Sequence, residues 1–276
     1  MVTRRDYTAE TIKAAHSVLI ELMHLLGEYR DNIVLIEGWV PHILLSKEGE
    51  PHVGSMDVDL ALDHKKLKDE GYRTIRELLL NRGYKEGDQP FVFERTVDIN
   101  GSEVVIEVDF LAGEYEGTSE KHRHQKIEEQ GMRPRKARGC DIVFEDPREV
   151  TIEGELPGGG KDLVKVRVAS IVPFFAMKGM AMEDRLKEKD PWDIYYCIKN
   201  YPGGVDALVQ EFEPHVRHGL VKEGLEKIAK KFASEKHVGP KSVADFEELM
   251  DPDERAIRER DAYEQVKYLL ERLGIK

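Results

Sequence analysis

The stretch "HVGSMDVDLAL", residues 52–62, decides how the chain is read. Val58, Leu60 and Leu62 alternate with Asp57, Asp59 and Ala61, the period-two pattern of a strand with one face in a core. A strand from about Met56 to Leu62 would send both carboxylates from one face and the aliphatic side chains from the other. Two like charges held side by side are unfavourable unless a cation, or a shared proton, stands between them.

The segments on either side supply a sheet for this strand. Upstream, Ile12, Ala15, Val18, Leu19, Leu22, Leu25 and Leu26 recur at helical spacing and predict an amphipathic helix over Thr8 to Arg30. "NIVLIEGW" then reads as a strand with a tight turn at Gly38, and "VPHILL" as a short helix. Downstream, "HKKLKDEGYRTIRELLLNRGY" has helical spacing in Leu67, Ile75, Leu78 and Leu79, interrupted at Gly71 and closed at Gly83. "PFVFERTVDINGSEVVIEVDFLAG" places two β-rich runs around Asn100-Gly101, a strong hairpin signal. In its second arm Val105, Glu107 and Asp109 share one face, and Val104, Ile106, Val108 and Phe110 the other. A third carboxylate therefore stands on a strand.

Residues 114–139 are polar and charged, with "KHRHQK" and "RPRKARG" among them, and read as a loop or exposed helix. "REVTIEGEL" and "DLVKVRVAS" flank "PGGGK" as a second hairpin. That turn is no phosphate-binding P-loop, because the full spacing and the Ser/Thr after the lysine are missing. From Ser170 the character becomes mostly helical, and in "DPWDIYYCIKNY" Asp190 is expected at the N-cap with Pro191 at N1. Trp192, Tyr195 and Tyr196 on that helix are expected in the core. The fold class is α+β: a mixed sheet with helices over 1–168, then a mainly helical domain over 169–276.

Composition narrows the functional classes. The 276 residues include 40% apolar side chains, enough for a core. With 54 acidic and 42 basic residues the net charge is −12, which argues against a wholly basic nucleic-acid-coating protein. Cys140 and Cys197 lie far apart with no metal-type spacing, so two inert thiols are expected. His122 and His124 lack further ligands at suitable spacing and read as part of a solvated segment. No apolar run is long enough to span a bilayer and the start is polar, so a cytoplasmic location without membrane attachment is expected.

Three carboxylates on strands that can lie side by side suit a divalent metal. Magnesium takes hard oxygen ligands and fills its remaining positions with water and substrate phosphate. One or two such ions can hold a triphosphate and polarise the attacked phosphorus. Gly54-Ser55 fits the same chemistry, since a small turn lets backbone N–H groups and a hydroxyl approach phosphate oxygens.

At this point "IEGWVPHILL", "HVGSMDVDLAL", "VVIEVDFLAG" and "FFAMKGMAMEDRLKEKDPWDIYYCIKNY" resemble the AbiEii/AbiGii toxin family of nucleotidyltransferases, a branch of the DNA polymerase β-like superfamily. The resemblance covers roughly residues 30–200 and implies a polymerase β-like mixed sheet, with a helical C-terminal domain closing the nucleotide site. It implies transfer of a nucleoside monophosphate from an NTP to an acceptor hydroxyl. By resemblance Asp57 and Asp59 are the metal-binding pair and Asp109 the third carboxylate, a metal ligand or an aid to deprotonating the acceptor. Gly54 and Ser55 would touch phosphate and Lys178 the triphosphate. Lys189, Asp190 and Asp193 match a "KDxxD" signature that shapes the site from the helical side.

The implied cofactor is Mg2+, and the implied partners are an NTP, an RNA acceptor (the tRNA 3′ end) and an antitoxin protein. A nucleotide- or RNA-binding module without turnover, or transfer to a protein or small-molecule acceptor, are the alternative readings. Two departures stand out. The paired glycines the family shows before its short helix are Glu37-Gly38-Trp39 here, and the arginine it carries ahead of the acidic strand is absent, with Val53 nearby instead.

Overall fold

A computed structural model describes residues 2–45, 50–113 and 134–276. In chain order the first elements are α1 (Ala9–Leu25), β1 (Ile33–Leu35), α2 (Trp39–Leu45), β2 (Val58–Leu62), α3 (Asp69–Asn81), β3 (Lys85–Glu86) and β4 (Val92–Ile99). There follow β5 (Ser102–Ala112), β6 (Arg135–Lys136), β7 (Arg148–Glu155), β8 (Lys161–Val168), α4 (Ile171–Asp184) and α5 (Lys189–Asn200). The last are α6 (Gly204–Phe212), α7 (Gly219–Lys231), α8 (Val238–Phe246) and α9 (Pro252–Arg272). This is the expected α+β chain, a mixed sheet with helices followed by a helical region. No helix among the described residues is long and apolar enough to cross a membrane.

The elements fall into two compact units. The sheet unit comprises Thr8–Trp39 and Ser55–Ser170; the helical unit comprises Met1–Tyr7, Val40–Gly54 and Ile171–Lys276.

In the sheet unit the strand order is β3-β4-β5-β2-β1-β8-β7, with β6 beside the end of β5. The central pairs β2–β5 and β1–β8 are parallel, and β1–β2, β4–β5 and β7–β8 are antiparallel. Both predicted hairpins form. Asn100 and Gly101 have φ of 56° and 85° and join Ile99 to its partner Ser102, the left-handed pair that a two-residue turn needs to match strand twist. Helix α1 starts at Thr8, whose side chain accepts from the Thr11 N–H, and packs on β4, β5, β7 and β8. It covers the face carrying Phe93, Ile106, Val108 and Phe110, all buried.

That face also holds a charge. Glu21 of α1 is buried and receives the guanidiniums of Arg82 and Arg95 at 2.7 and 2.9 Å. Burial alone would raise its carboxyl, and the two arginines outweigh burial and hold it below the usual carboxylate value.

Several boundaries differ from the periodicity. Helix α1 stops at Leu25, and a 3-10 turn over Gly27–Asn32 replaces its expected last turn, because Gly27 is a poor helix former. Gly71 lies inside the first turn of α3 rather than interrupting it; a Cβ there would come 2.9 Å from the Leu67 Cδ2 methyl. Arg135 and Lys136, expected in a loop or exposed helix, form strand β6 because Leu111 and Ala112 of β5 offer them a parallel partner. "KHRHQK", with His122 and His124, lies outside the described residues.

In the helical unit α4 and α7 meet at backbone contact. A Cβ on Gly179 would sit 2.1 Å from the Gly224 carbonyl oxygen, so both positions need glycine. Trp192, Tyr195 and Tyr196 are core residues, as expected. Cys140 and Cys197 are free and buried, and burial pushes both thiols up, which keeps them inert.

Candidate active site

The acidic stretch is built by strand register. Asp59 on β2 is the Cα partner of Asp109 on the parallel neighbour β5, flanked by the pairs Val58–Val108 and Leu60–Phe110. Because the aliphatic partners face α1, the ladder sends Asp59 and Asp109 from the opposite face. Strand β2 begins at Val58, so Asp57 stands just ahead of it rather than on it. Its place is fixed locally instead. The Ser55 hydroxyl donates to Asp57 Oδ1 at 2.5 Å, and Trp39 Nε1–H donates to the Asp57 carbonyl at 2.7 Å. On the other flank, the Ile36 N–H donates to the Asp59 carbonyl at 3.0 Å.

Among the described residues no group of three or more His, Cys, Asp or Glu side chains is drawn close enough to hold a metal ion as it stands. Like carboxylates repel, and the backbone register that brings them together is built in, whereas closing the side chains on a cation requires the cation. The donor set fits a hard divalent ion: the three carboxylates and the Ser55 hydroxyl offer only oxygen, with no thiolate or imidazole.

The helical unit assembles the other predicted residues by a different device. Lys178 Nζ on α4 donates to Asp190 Oδ1 at 2.6 Å and lies 3.1 Å from Asp193 Oδ2. Lys189 Nζ donates to both Asp193 oxygens, at 2.7 and 2.9 Å, and Arg185 Nε to Asp190 Oδ2 at 2.9 Å. Lys178, Lys189, Asp190 and Asp193 are each at most 3% exposed. Burial would raise Asp193 and Asp190. For Asp193 the charges of Lys189 and Lys178 win and its carboxyl ends well down; for Asp190 those of Lys178 and Arg185 win and its carboxyl is lowered. Asp190 is not the N-cap of α5; Glu188 is, and Asp190 is the second residue of the helix. Its carboxylate is taken up by Lys178 and Arg185 and cannot turn back to cap the backbone.

His52 extends this cluster. The Gly54 N–H donates to His52 Nδ1 at 3.0 Å, so Nδ1 must be the bare nitrogen, and Nε2–H is left to donate to Asp193 Oδ1 at 3.0 Å. Burial, with the nearby Lys189 charge, pulls the imidazole down to about 3 against the opposing pull of Asp193. His52 is therefore neutral at physiological pH. It packs against the rings of Tyr196 and Trp192 at 4.8 and 5.2 Å.

Residues 44–271 match the family of the nucleotidyl transferase AbiEii toxin, type IV TA system. The chain belongs to that family. No curated protein and no solved structure matches it. Membership makes this chain a nucleotidyl transferase toxin of a type IV toxin–antitoxin system.

Two residues that brace these charged groups of the AbiEii protein, one in each unit, escaped the sequence reading. Trp39 lies ahead of the matched span, where a bulky ring departs from the family pattern, yet it is fully buried, packs against His16 at 5.7 Å and spends its N–H on the Asp57 carbonyl. The ring braces the acidic loop from within the core. The neighbouring turn carries its left-handed residue at Glu37, with φ of 58°, rather than at Gly38 as expected. His52 gave one faint signal, an imidazole two residues before Gly54, but its partner Asp193 is 141 positions away and only the fold brings them together.

Proposed function

We propose that this AbiEii protein transfers a nucleoside monophosphate from an NTP to an acceptor hydroxyl, with Asp57, Asp59 and Asp109 as its catalytic carboxylates. The observation that carries this reading is the Asp59–Asp109 register on β2 and β5, with Asp57 pinned beside it by Ser55 and Trp39. Asp57, Asp59 and Asp109 would hold magnesium, which when bound supplies the positive charge that neutralises the triphosphate and polarises the α-phosphorus.

The chain's own groups do the rest. The acceptor oxygen attacks the α-phosphorus, the bond to the bridging oxygen breaks and pyrophosphate leaves. Asp109 takes the acceptor's proton on a carboxylate oxygen. Gly54 and Ser55, a small turn that lets phosphate approach the backbone, serve the phosphate oxygens once the Ser55 hydroxyl turns from Asp57, whose carboxylate the metal would then take up. Lys178 gives the triphosphate a compact positive charge. Asp190 and Asp193 hold that lysine ionised and aimed, and Lys189 and His52 hold Asp193. The acceptor is RNA, at the tRNA 3′ end, and an antitoxin protein restrains the reaction.

The test incubates the protein and its Asp57→Ala variant with each of four α-labelled NTPs, magnesium and total RNA, and resolves RNA and protein on gels. Label in a tRNA-sized band with the unmutated protein alone is the expected result. Label on protein, or transfer surviving in Asp57→Ala, would overturn the acceptor or the site respectively.

A further inference from the structure

A small depression in the helical unit has a lining that includes Arg185, Leu186, Lys187, Lys231, Val238 and Ser242. Arg185, Leu186 and Lys187 lie on the link between α4 and α5, Lys231 is the last residue of α7, and Val238 and Ser242 belong to α8, so two separate pieces of chain bring cations to one place and a third adds a hydroxyl.

The local charge runs against the whole. The chain carries a net −12, yet residues 227–241 hold Lys227, Lys230, Lys231, Lys236 and Lys241 against the single acid Glu235. Other lysines of this region are spoken for: Lys222 pairs with Glu226 and Lys227 with Glu223 on α7, and Lys236, between α7 and α8, with Glu259. Lys187, Lys230, Lys231 and Lys241 have no ion-pair partner among the described residues. Unpaired cations around a depression, in a protein that is acidic overall, mark a local attraction for a polyanion.

One further link narrows the choice of polyanion. Arg185 lines the depression and grips Asp190 through Nε and Nη2 at 2.9 and 3.3 Å, and Asp190 in turn accepts from Lys178 at 2.6 Å. The basic surface is thus two ion pairs removed from the lysine assigned above to the triphosphate. An acceptor strand must come that near the nucleotide; an inhibitory protein has no such requirement.

We infer that Lys187 and Lys231, which line the depression with Ser242, form with Lys230 and Lys241, the sequence neighbours of Lys231 and Ser242, a docking surface for the phosphodiester backbone of the RNA acceptor. The inference rests on the transferase reading for the meaning of the surface, but not for its detection. Backbone contacts of this kind position a strand without reading its sequence, and their signature is salt dependence.

The experiment measures binding of unfractionated tRNA by fluorescence anisotropy at several salt concentrations, without turnover. It compares the unmutated protein, Lys187→Glu/Lys231→Glu and Lys222→Glu/Lys267→Glu. The last carries the same change in net charge at lysines already paired along their own helices. The expected result is affinity lowered roughly tenfold in the first variant, with the slope of log Kd against log salt reduced by about 0.7–0.9 for each lysine lost. NTP affinity stays unchanged, and the paired-lysine variant shows a much smaller effect.

Equal losses in both variants would overturn the inference in favour of net charge alone. A parallel loss of NTP affinity would assign the lysines to the nucleotide, and loss of antitoxin binding with tRNA affinity intact would assign the surface to the protein partner. Because binding is read directly, absence of transfer in the labelling experiment would overturn the proposed reaction and leave this measurement standing.

Discussion

The two groups of charged residues in this protein are gathered by opposite means. On β2 and β5 the backbone does the work: the ladder sets Asp59 opposite Asp109 and holds like charges near one another at an electrostatic cost. In the helical unit the side chains do it. Lys178, Lys189, Arg185, Asp190 and Asp193 come together as mutually compensating pairs in a buried place. The first arrangement gains nothing for stability and is suited to an arriving cation. The second is costly to break and is suited to fixing the direction of Lys178. Chemistry and structural support should therefore separate when each is mutated.

The largest expected effect is on turnover. Asp109→Asn keeps size and shape but removes a proton acceptor, and the transfer rate should fall on the order of 10^3-fold in single-turnover labelling. Removing one like charge should leave the urea midpoint unchanged or slightly raised. The second comparison is thermodynamic. Asp193→Ala strands Lys189 in a buried site without its closest partner, at a cost of about 3–5 kcal/mol, read from urea unfolding.

The third prediction concerns pH. His52 holds at about 3 in the folded chain. An unfolded histidine titrates near 6.5, so only the unfolded state binds a proton between these values. The contribution is fully present above pH 6.5 and is lost as pH falls toward 3, on the order of 1 kcal/mol per pH unit. Below about pH 4 the depressed carboxyls of Asp190 and Asp193 add to the loss. His52→Gln should flatten the slope between pH 6.5 and 4 in urea titrations; an unchanged slope would place the acid sensitivity elsewhere.

The smallest effect is expected at Trp39→Phe, which keeps a buried ring but leaves the Asp57 carbonyl without its donor. Stability should drop by about 1 kcal/mol. The concentration of magnesium needed for half-maximal transfer should rise, because the brace acts on Asp57. A stability loss with unchanged magnesium dependence would reduce Trp39 to a core residue.

How far the sequence anticipates these two groups also differs. Alternation in "MDVDLAL" and "VVIEVDF", with the Asn100-Gly101 turn, is enough to expect three carboxylates on strands, because strand period and turn chemistry are local. Local rules fail where distant partners decide. Asp190 looks like an N-cap until Lys178 and Arg185 claim its carboxylate. Asp57 looks like a strand residue until Ser55 and Trp39 are seen to hold it ahead of β2. The His52–Asp193 bond spans 141 positions, and nothing near His52 names its partner. The roles of Lys189 and Asp193 come from family resemblance and not from spacing.

The most direct test of the division between the two groups sets Asp57→Asn beside Asp193→Asn, with transfer rate and unfolding free energy measured on the same preparations. The amide oxygen that Asp57→Asn introduces can still accept from the Ser55 hydroxyl. That variant should therefore abolish transfer while its unfolding free energy stays within about 1 kcal/mol of the parent. Asp193→Asn should lose several kcal/mol, with turnover falling as the fold loosens. Transfer surviving in Asp57→Asn, or a stability loss there as large as in Asp193→Asn, would contradict the account.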